Sequence, residues 1–147
     1  KAIFFQEIFF WDYAKKLNVS ELVKYIGFAP NEEIYSLYKN ALAMVMPSYF
    51  GPTNIPPLEA FTIGTTIIYS DLDGLRDQVG NAALLCDLKN PNNLAEHLKS
   101  ILESENLRND LIIKGRNRLV ELSKSNVVDI LSEIFDDYSI KLKCWKS

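Results

Sequence analysis

The sequence predicts an α/β protein, a doubly wound parallel sheet followed by C-terminal helices, and two patterns lead there. Three short runs, Ala41–Met46, Thr65–Tyr69 and Ala82–Cys86, carry no charge and have the length of strands buried in a sheet. Between and after them lie segments whose apolar residues recur at helical spacing. Strands alternating with helices pair in parallel through right-handed crossovers. In such sheets ligands bind beyond the carboxyl ends of the strands. The loops expected at that edge are Gly27–Pro30, Pro47–Pro57 and Ser70–Gly74, where glycines, prolines and small polar residues concentrate.

Taken in order, Ile3, Phe4, Ile8, Phe9, Trp11 and Leu17 predict an amphipathic, aromatic-rich helix over Ile3–Leu17 that packs on the sheet. Leu22–Ile26 reads as a short strand ending at Gly27, with Phe28-Ala29-Pro30 as the turn beyond it. Asn31 is the expected N-cap of a helix over Glu32–Asn40. Ala41–Met46, with no polar side chain, reads as a strand covered on both faces. Leu58–Ile63 opens a short buried helix closed by Gly64, and the β-branched run Thr65–Tyr69 is the next strand. A turn at Asp73-Gly74 leads to a short helix ending at Val79, and Gly80 and Asn81 break the chain before the strand Ala82–Cys86. Asn90-Pro91 starts a helix to about Glu103 with Leu94, Leu98, Ile101 and Leu102 inside. Two further helices run from about Asn106 to Leu122 and from about Asn126 to Leu142.

At 147 residues the chain has the size of a single domain, 1–147. It opens at Lys1 rather than Met and is therefore expected to be a fragment. A net charge of −3 argues against an electrostatic nucleic-acid binder. Cys86 and Cys144 lie in no ligand-like spacing, which fits a reduced, cytoplasmic setting without zinc. With His97 as the single histidine, triad or metal chemistry within the chain is not expected. No apolar stretch reaches the roughly 18 residues of a membrane span.

The stretch from Met46 to Ala60 holds the most chemistry. Thr53 or Asn54 can cap the helix that follows, and Pro56 and Pro57 fit a first turn that needs no donors. A helix start carries free N–H groups and about half a positive charge, which favour a phosphate. Glu59, expected in the first helical turn, adds a carboxylate suited to hydroxyl groups. Phosphate beside hydroxyls points to a nucleotide sugar.

Four stretches then carry a family resemblance: Tyr25-Ile26-Gly27-Phe28; Tyr38-Lys39-Asn40-Ala41 leading into Met46-Pro47-Ser48; Ile55-Pro56-Pro57-Leu58-Glu59-Ala60 with Gly64 and Ser70; and Val79-Gly80-Asn81-Ala82-Ala83. In this order and spacing, the run from Val23 to about Leu119 resembles the carboxyl-terminal, Rossmann-like donor-binding half of a retaining glycosyltransferase of the group 1 type, with the GT-B fold. The resemblance implies that Glu59 holds the ribose hydroxyls of a nucleotide-diphosphate sugar. It implies that main-chain amides over Thr53, Asn54, Ile55 and Pro56 hold the diphosphate and sugar, and that the loop after Gly27, with Phe28, lies along the base. It also implies transfer with retention, no metal cofactor, a glycan or lipid-linked acceptor, and a missing N-terminal domain that supplies the acceptor site. The pattern departs at Gly51, where the family places a second, sugar-contacting glutamate eight positions before Glu59; Asn54 could replace that carboxylate as a neutral donor and acceptor.

Each of these residues also has a plainer reading. Gly51 can serve to turn the chain, Ser48 to close a turn, and Phe28 to fill core. Asp71 and Asp73 read as an Asx-type turn, and His97, between Glu96 and Lys99, as solvent-facing. The Lys141–Lys146 tail with Trp145 would be a weak anchor at a membrane surface. The alternative for the whole chain is a non-catalytic α/β interaction module that keeps the fold.

Overall fold

The computed structural model describes residues 5–49, 54–124 and 127–145, with side chains described at 11–49, 54–124 and 128–142. The chain forms two compact units, residues 1–34 and 35–147.

In the first unit, helix α1 spans Phe5–Lys16. Of its described side chains Ala14 is buried, while Tyr13 is exposed. A 3₁₀ turn follows over Ser20–Leu22. The strand expected over Leu22–Ile26 is not formed. Val23 is extended (φ −106°, ψ 127°), yet the stretch joins no ladder among the described residues, and Leu22, Tyr25 and Ile26 are exposed. Apolar composition supplies β propensity but not the neighbouring strand that gives it value. Helix α2, Asn31–Asn40, begins one residue early, so Asn31 is helical rather than the cap. The carbonyl of Pro30 accepts the first helical bond, from Ile34 N–H at 3.0 Å.

The second unit contains β1 (Met44–Met46), β2 (Ile67–Ser70) and β3 (Leu84–Cys86), all parallel in the order β1-β2-β3. Each strand starts later than its apolar run. Before β2 the reason is visible: Thr65 and Thr66 hydroxyls donate to the carbonyls of Tyr38 (2.8 Å) and Leu42 (2.6 Å), making them anchors for the chain leading into the sheet. Central β2 is buried at every position. Strand β1 lies at an edge of this sheet with Val45 38% exposed, so it is not covered on both faces as expected.

Helix α3 (Ile55–Ile63) connects β1 to β2, and α4 (Leu75–Val79) connects β2 to β3. After β3 come α5 (Pro91–Glu103), α6 (Glu105–Ser123) and α7 (Val127–Trp145). One buried cluster joins Ala60, Phe61, Ile67, Tyr69, Leu75, Val79, Ala82 and Ala83; a second joins Ile68, Cys86 and Ile101. Successive β2 residues point to opposite faces, so these clusters fill the two sides of the sheet. That is the doubly wound arrangement. Each large side chain so buried contributes about 1.5–3 kcal/mol. The inner face of α5 is narrower than predicted: Ile101 is buried, whereas Leu102 is 66% exposed. Every described side chain of α7 is exposed.

Ser104 ends α5 and caps α6, its hydroxyl accepting the Leu107 N–H at 3.2 Å. Removing that acceptor leaves an unpaired donor in the first turn. Ser104→Ala is therefore expected to cost about 1 kcal/mol of stability in urea unfolding, and an unchanged midpoint would contradict the cap.

Candidate functional site between the first strand and the third helix

The last two residues of β2 hold the loop that leaves β1. Ser70 and Tyr69 project to opposite faces. The Ser70 hydroxyl donates to the Ser48 carbonyl at 2.7 Å, fixing the start of the loop. The Tyr69 hydroxyl accepts a hydrogen bond from Asn54 Nδ2, fixing its end. Residues 50–53 lie outside the described residues, and the expectations for Gly51 and Thr53 lie there with them.

Helix α3 begins at Ile55 rather than Leu58, with the two prolines inside its first turn. Their fixed φ suits a helix start, and they bring no N–H that would need a partner. The earlier start corrects two expectations. Glu59 falls in the second turn, so it does not complement the helix start; its Oε2 instead accepts the Tyr38 hydroxyl at 3.2 Å. Asn54 occupies the N-cap position in extended conformation, but its side chain makes no cap bond and goes to Tyr69.

The main chain of Asn54 is gripped as well. Its N–H donates to Gln78 Oε1 at 3.1 Å, and its carbonyl accepts from Gln78 Nε2 at 2.5 Å. The amides expected to meet a ligand are therefore not equivalent. Asn54 has committed its N–H, and Pro56 has none, which leaves Ile55, 70% exposed, as the described amide at the helix start. An anion placed there would still meet the positive end of the α3 dipole.

Tyr38, on α2, is half-buried and reaches α3 through Glu59. Burial raises its pKa above the ordinary tyrosine value, and the Glu59 charge and hydrogen bond raise it further. A raised pKa stabilises the fold while the phenol is protonated, fully below about pH 10, and the contribution is lost as pH rises through the folded value. Tyr38→Phe is thus expected to flatten the fall of melting temperature as pH rises above about 10. Parallel curves for the two proteins would contradict the coupling.

Other expectations resolve differently. Phe28 is 94% exposed and fills no core. His97 is half-buried with Nε2 2.9 Å from the Leu85 carbonyl, so it is not solvent-facing but tied to β3. A turn forms at Asp73-Gly74 as expected, and Asp71 and Asp73 in addition both pair with Arg76, the latter at 2.6 Å. Among the described residues no group of three or more His, Cys, Asp or Glu could hold a metal ion, and no helix is long and apolar enough to cross a membrane. A separate cleft of about 230 Å³, lined by Leu42, Thr66, Glu105, Arg108 and Asn109 among others, opens near the amino ends of β1 and β2.

Sequence reasoning missed Tyr38, Tyr69 and Gln78. The signal for Gln78 was present: with Leu75 and Val79 it shares the buried face of α4, and an amide on an apolar stripe needs a partner.

Comparison with known proteins adds four findings. The family model for glycosyl transferases group 1 matches residues 9–118. O-antigen chain mannosyltransferase B of Escherichia coli is 25% identical over 116 residues, 79% of this chain and 30% of that protein. D-inositol 3-phosphate glycosyltransferase of Frankia alni is 32% identical over 100 residues, 67% of this chain and 25% of that protein. Among solved structures, sucrose-phosphate synthase from Thermosynechococcus elongatus superimposes with a TM-score of 0.70 at 25% identity, covering 90% of this chain and 33% of that one. The chain thus spans between a quarter and a third of the length of these relatives.

Proposed function

We propose, from the premise that this chain belongs to the group 1 glycosyl transferases, that it forms the donor-binding part of an enzyme that moves a sugar from a nucleotide diphosphate to an acceptor hydroxyl with retention. The observation that carries this reading is the joint placement of Ile55 N–H at the start of α3 and of the Glu59 carboxylate one turn further on, held by Tyr38. In the reading, Glu59 accepts hydrogen bonds from the ribose hydroxyls, and Ile55 and the α3 dipole face the diphosphate. Both interactions orient the donor, and the second also stabilises charge growing on the leaving diphosphate. Front-face attack by the acceptor hydroxyl then keeps the anomeric configuration. The charge is met by oriented N–H groups and cationic side chains rather than by a metal. A further domain supplies the acceptor site for a glycan or lipid-linked acceptor, so the isolated segment binds donor weakly and transfers nothing.

The test uses the full-length polypeptide with GDP-mannose and UDP-glucose, following nucleotide release and the first-formed anomer of the freed sugar by proton NMR. Release of the α anomer from these α-linked donors supports the reading. Release of the β anomer would contradict retention, and no release from either donor, with no binding of either, would contradict donor use.

A further inference from the structure

The hydrogen bonds around Asn54 form a chain whose donors and acceptors can be assigned without ambiguity. The backbone of Asn54 fixes Gln78: a main-chain N–H can only donate, so the atom 3.1 Å from it is the amide oxygen, and a main-chain carbonyl can only accept, so the atom 2.5 Å from it is the amide nitrogen. The Tyr69 hydroxyl lies 3.3 Å from that same Gln78 Oε1 and must donate to it. Its lone pairs then face Asn54 and accept from Nδ2. The Asn54 amide is thereby oriented with its nitrogen inward and its carbonyl oxygen, Oδ1, at the other end. Tyr69 is fully buried and Gln78 is 7% exposed, so water competes little for these bonds. Arg118 steadies Gln78 in turn, its Nε donating to the Gln78 carbonyl at 3.1 Å.

An oriented carbonyl oxygen has one chemical preference. It repels a phosphate oxygen and accepts from a hydroxyl. Asn54 immediately precedes the Ile55 N–H, the group suited to phosphate, so the acceptor and the anion site are adjacent along the chain. We propose that Gln78 and Tyr69 are positioning residues that lock Asn54 with Oδ1 turned out as the acceptor for a hydroxyl of the transferred sugar. This rests on the donor-site reading above and adds to it the group that distinguishes a nucleotide sugar from its bare nucleotide. It also gives a neutral side chain the acceptor role for which the family's carboxylate at position 51 was expected.

The test is calorimetric titration of the full-length polypeptide with GDP, GDP-mannose, UDP and UDP-glucose, in wild type, Tyr69→Phe and Gln78→Met. Tyr69→Phe keeps the buried ring and removes only the hydroxyl that orients Asn54. The quantity read is the affinity of each nucleotide sugar relative to its own nucleotide, which a general loss of structure would not change selectively. Both variants are expected to lower that ratio about fivefold, the size of one neutral hydrogen bond. An unchanged ratio, whether the absolute affinities fall together or not at all, overturns the positioning role while leaving the donor site intact. Wild type that binds none of the four overturns the donor-site reading and this inference with it. Should Gln78→Met not fold, Tyr69→Phe decides alone, backed by the side-chain amide resonance of Asn54 in nitrogen-15 spectra. That resonance is expected to move on loss of the Tyr69 hydroxyl, and an unmoved resonance counts against the relay.

Discussion

Glu59→Ala is expected to weaken binding of UDP and GDP by roughly 10–100-fold, since a hydrogen bond to a charged group is worth about 1.5–3 kcal/mol. The same substitution should leave stability within about 0.5 kcal/mol. The two halves of the expectation come from one fact: Glu59 is exposed on α3 and touches the fold chiefly through Tyr38. Tyr38 does not lose all company, because its hydroxyl also lies 3.5 Å from the Pro56 carbonyl. Glu59→Gln keeps an acceptor but not the charge and should fall between wild type and alanine. Paired titrations and melts of the three proteins check this. Equal affinities would remove Glu59 from the site, and a large loss of stability would make it a structural residue.

Gly115→Ala should destabilise the protein by about 1–3 kcal/mol, and it should do so against the local preference of the helix. Alanine is favoured over glycine in a helix interior by about 1 kcal/mol, so propensity alone predicts a gain. Packing decides the other way. A Cβ at Gly115 would sit 2.5 Å from Cδ1 and 3.1 Å from Cε1 of Phe61, a ring 2% exposed in the main core cluster. The ring is rigid and enclosed, so α3 and α6 would have to move apart. At about 2–4 °C per kcal/mol for a chain of this size, the melting temperature should fall several degrees. Because α3 also carries Ile55 and Glu59, nucleotide binding should weaken with it. A rise in melting temperature would show that the two helices are less tightly apposed than the structure has them.

Much of the architecture was legible in the sequence because it depends on local pattern. Three uncharged runs became the three parallel strands, and the caps at Asn90 and Gly64 stand where their residue types place them. Leu22–Ile26 failed because strand formation depends on a partner that composition does not specify. At the site, Glu59 and Asn54 were legible through the residues around them, but their settings were not. The double proline pulled the helix start back to Ile55, which moved Glu59 by a turn, and the partners of the two side chains come from residues 21 and 15 positions away in the chain. Long-range polar pairs of this kind leave little trace in one sequence, except where a polar residue such as Gln78 interrupts an apolar face.

The most direct measurement is a nitrogen-15 NMR titration of the full-length polypeptide with GDP and UDP. The donor-site reading predicts saturable shifts at the amides of Ile55, Asn54 and Glu59, and at the amide of Tyr38, whose hydroxyl donates to Glu59. Shifts confined to the cleft around Glu105, Arg108 and Asn109, or no saturable shift with either nucleotide, would contradict it.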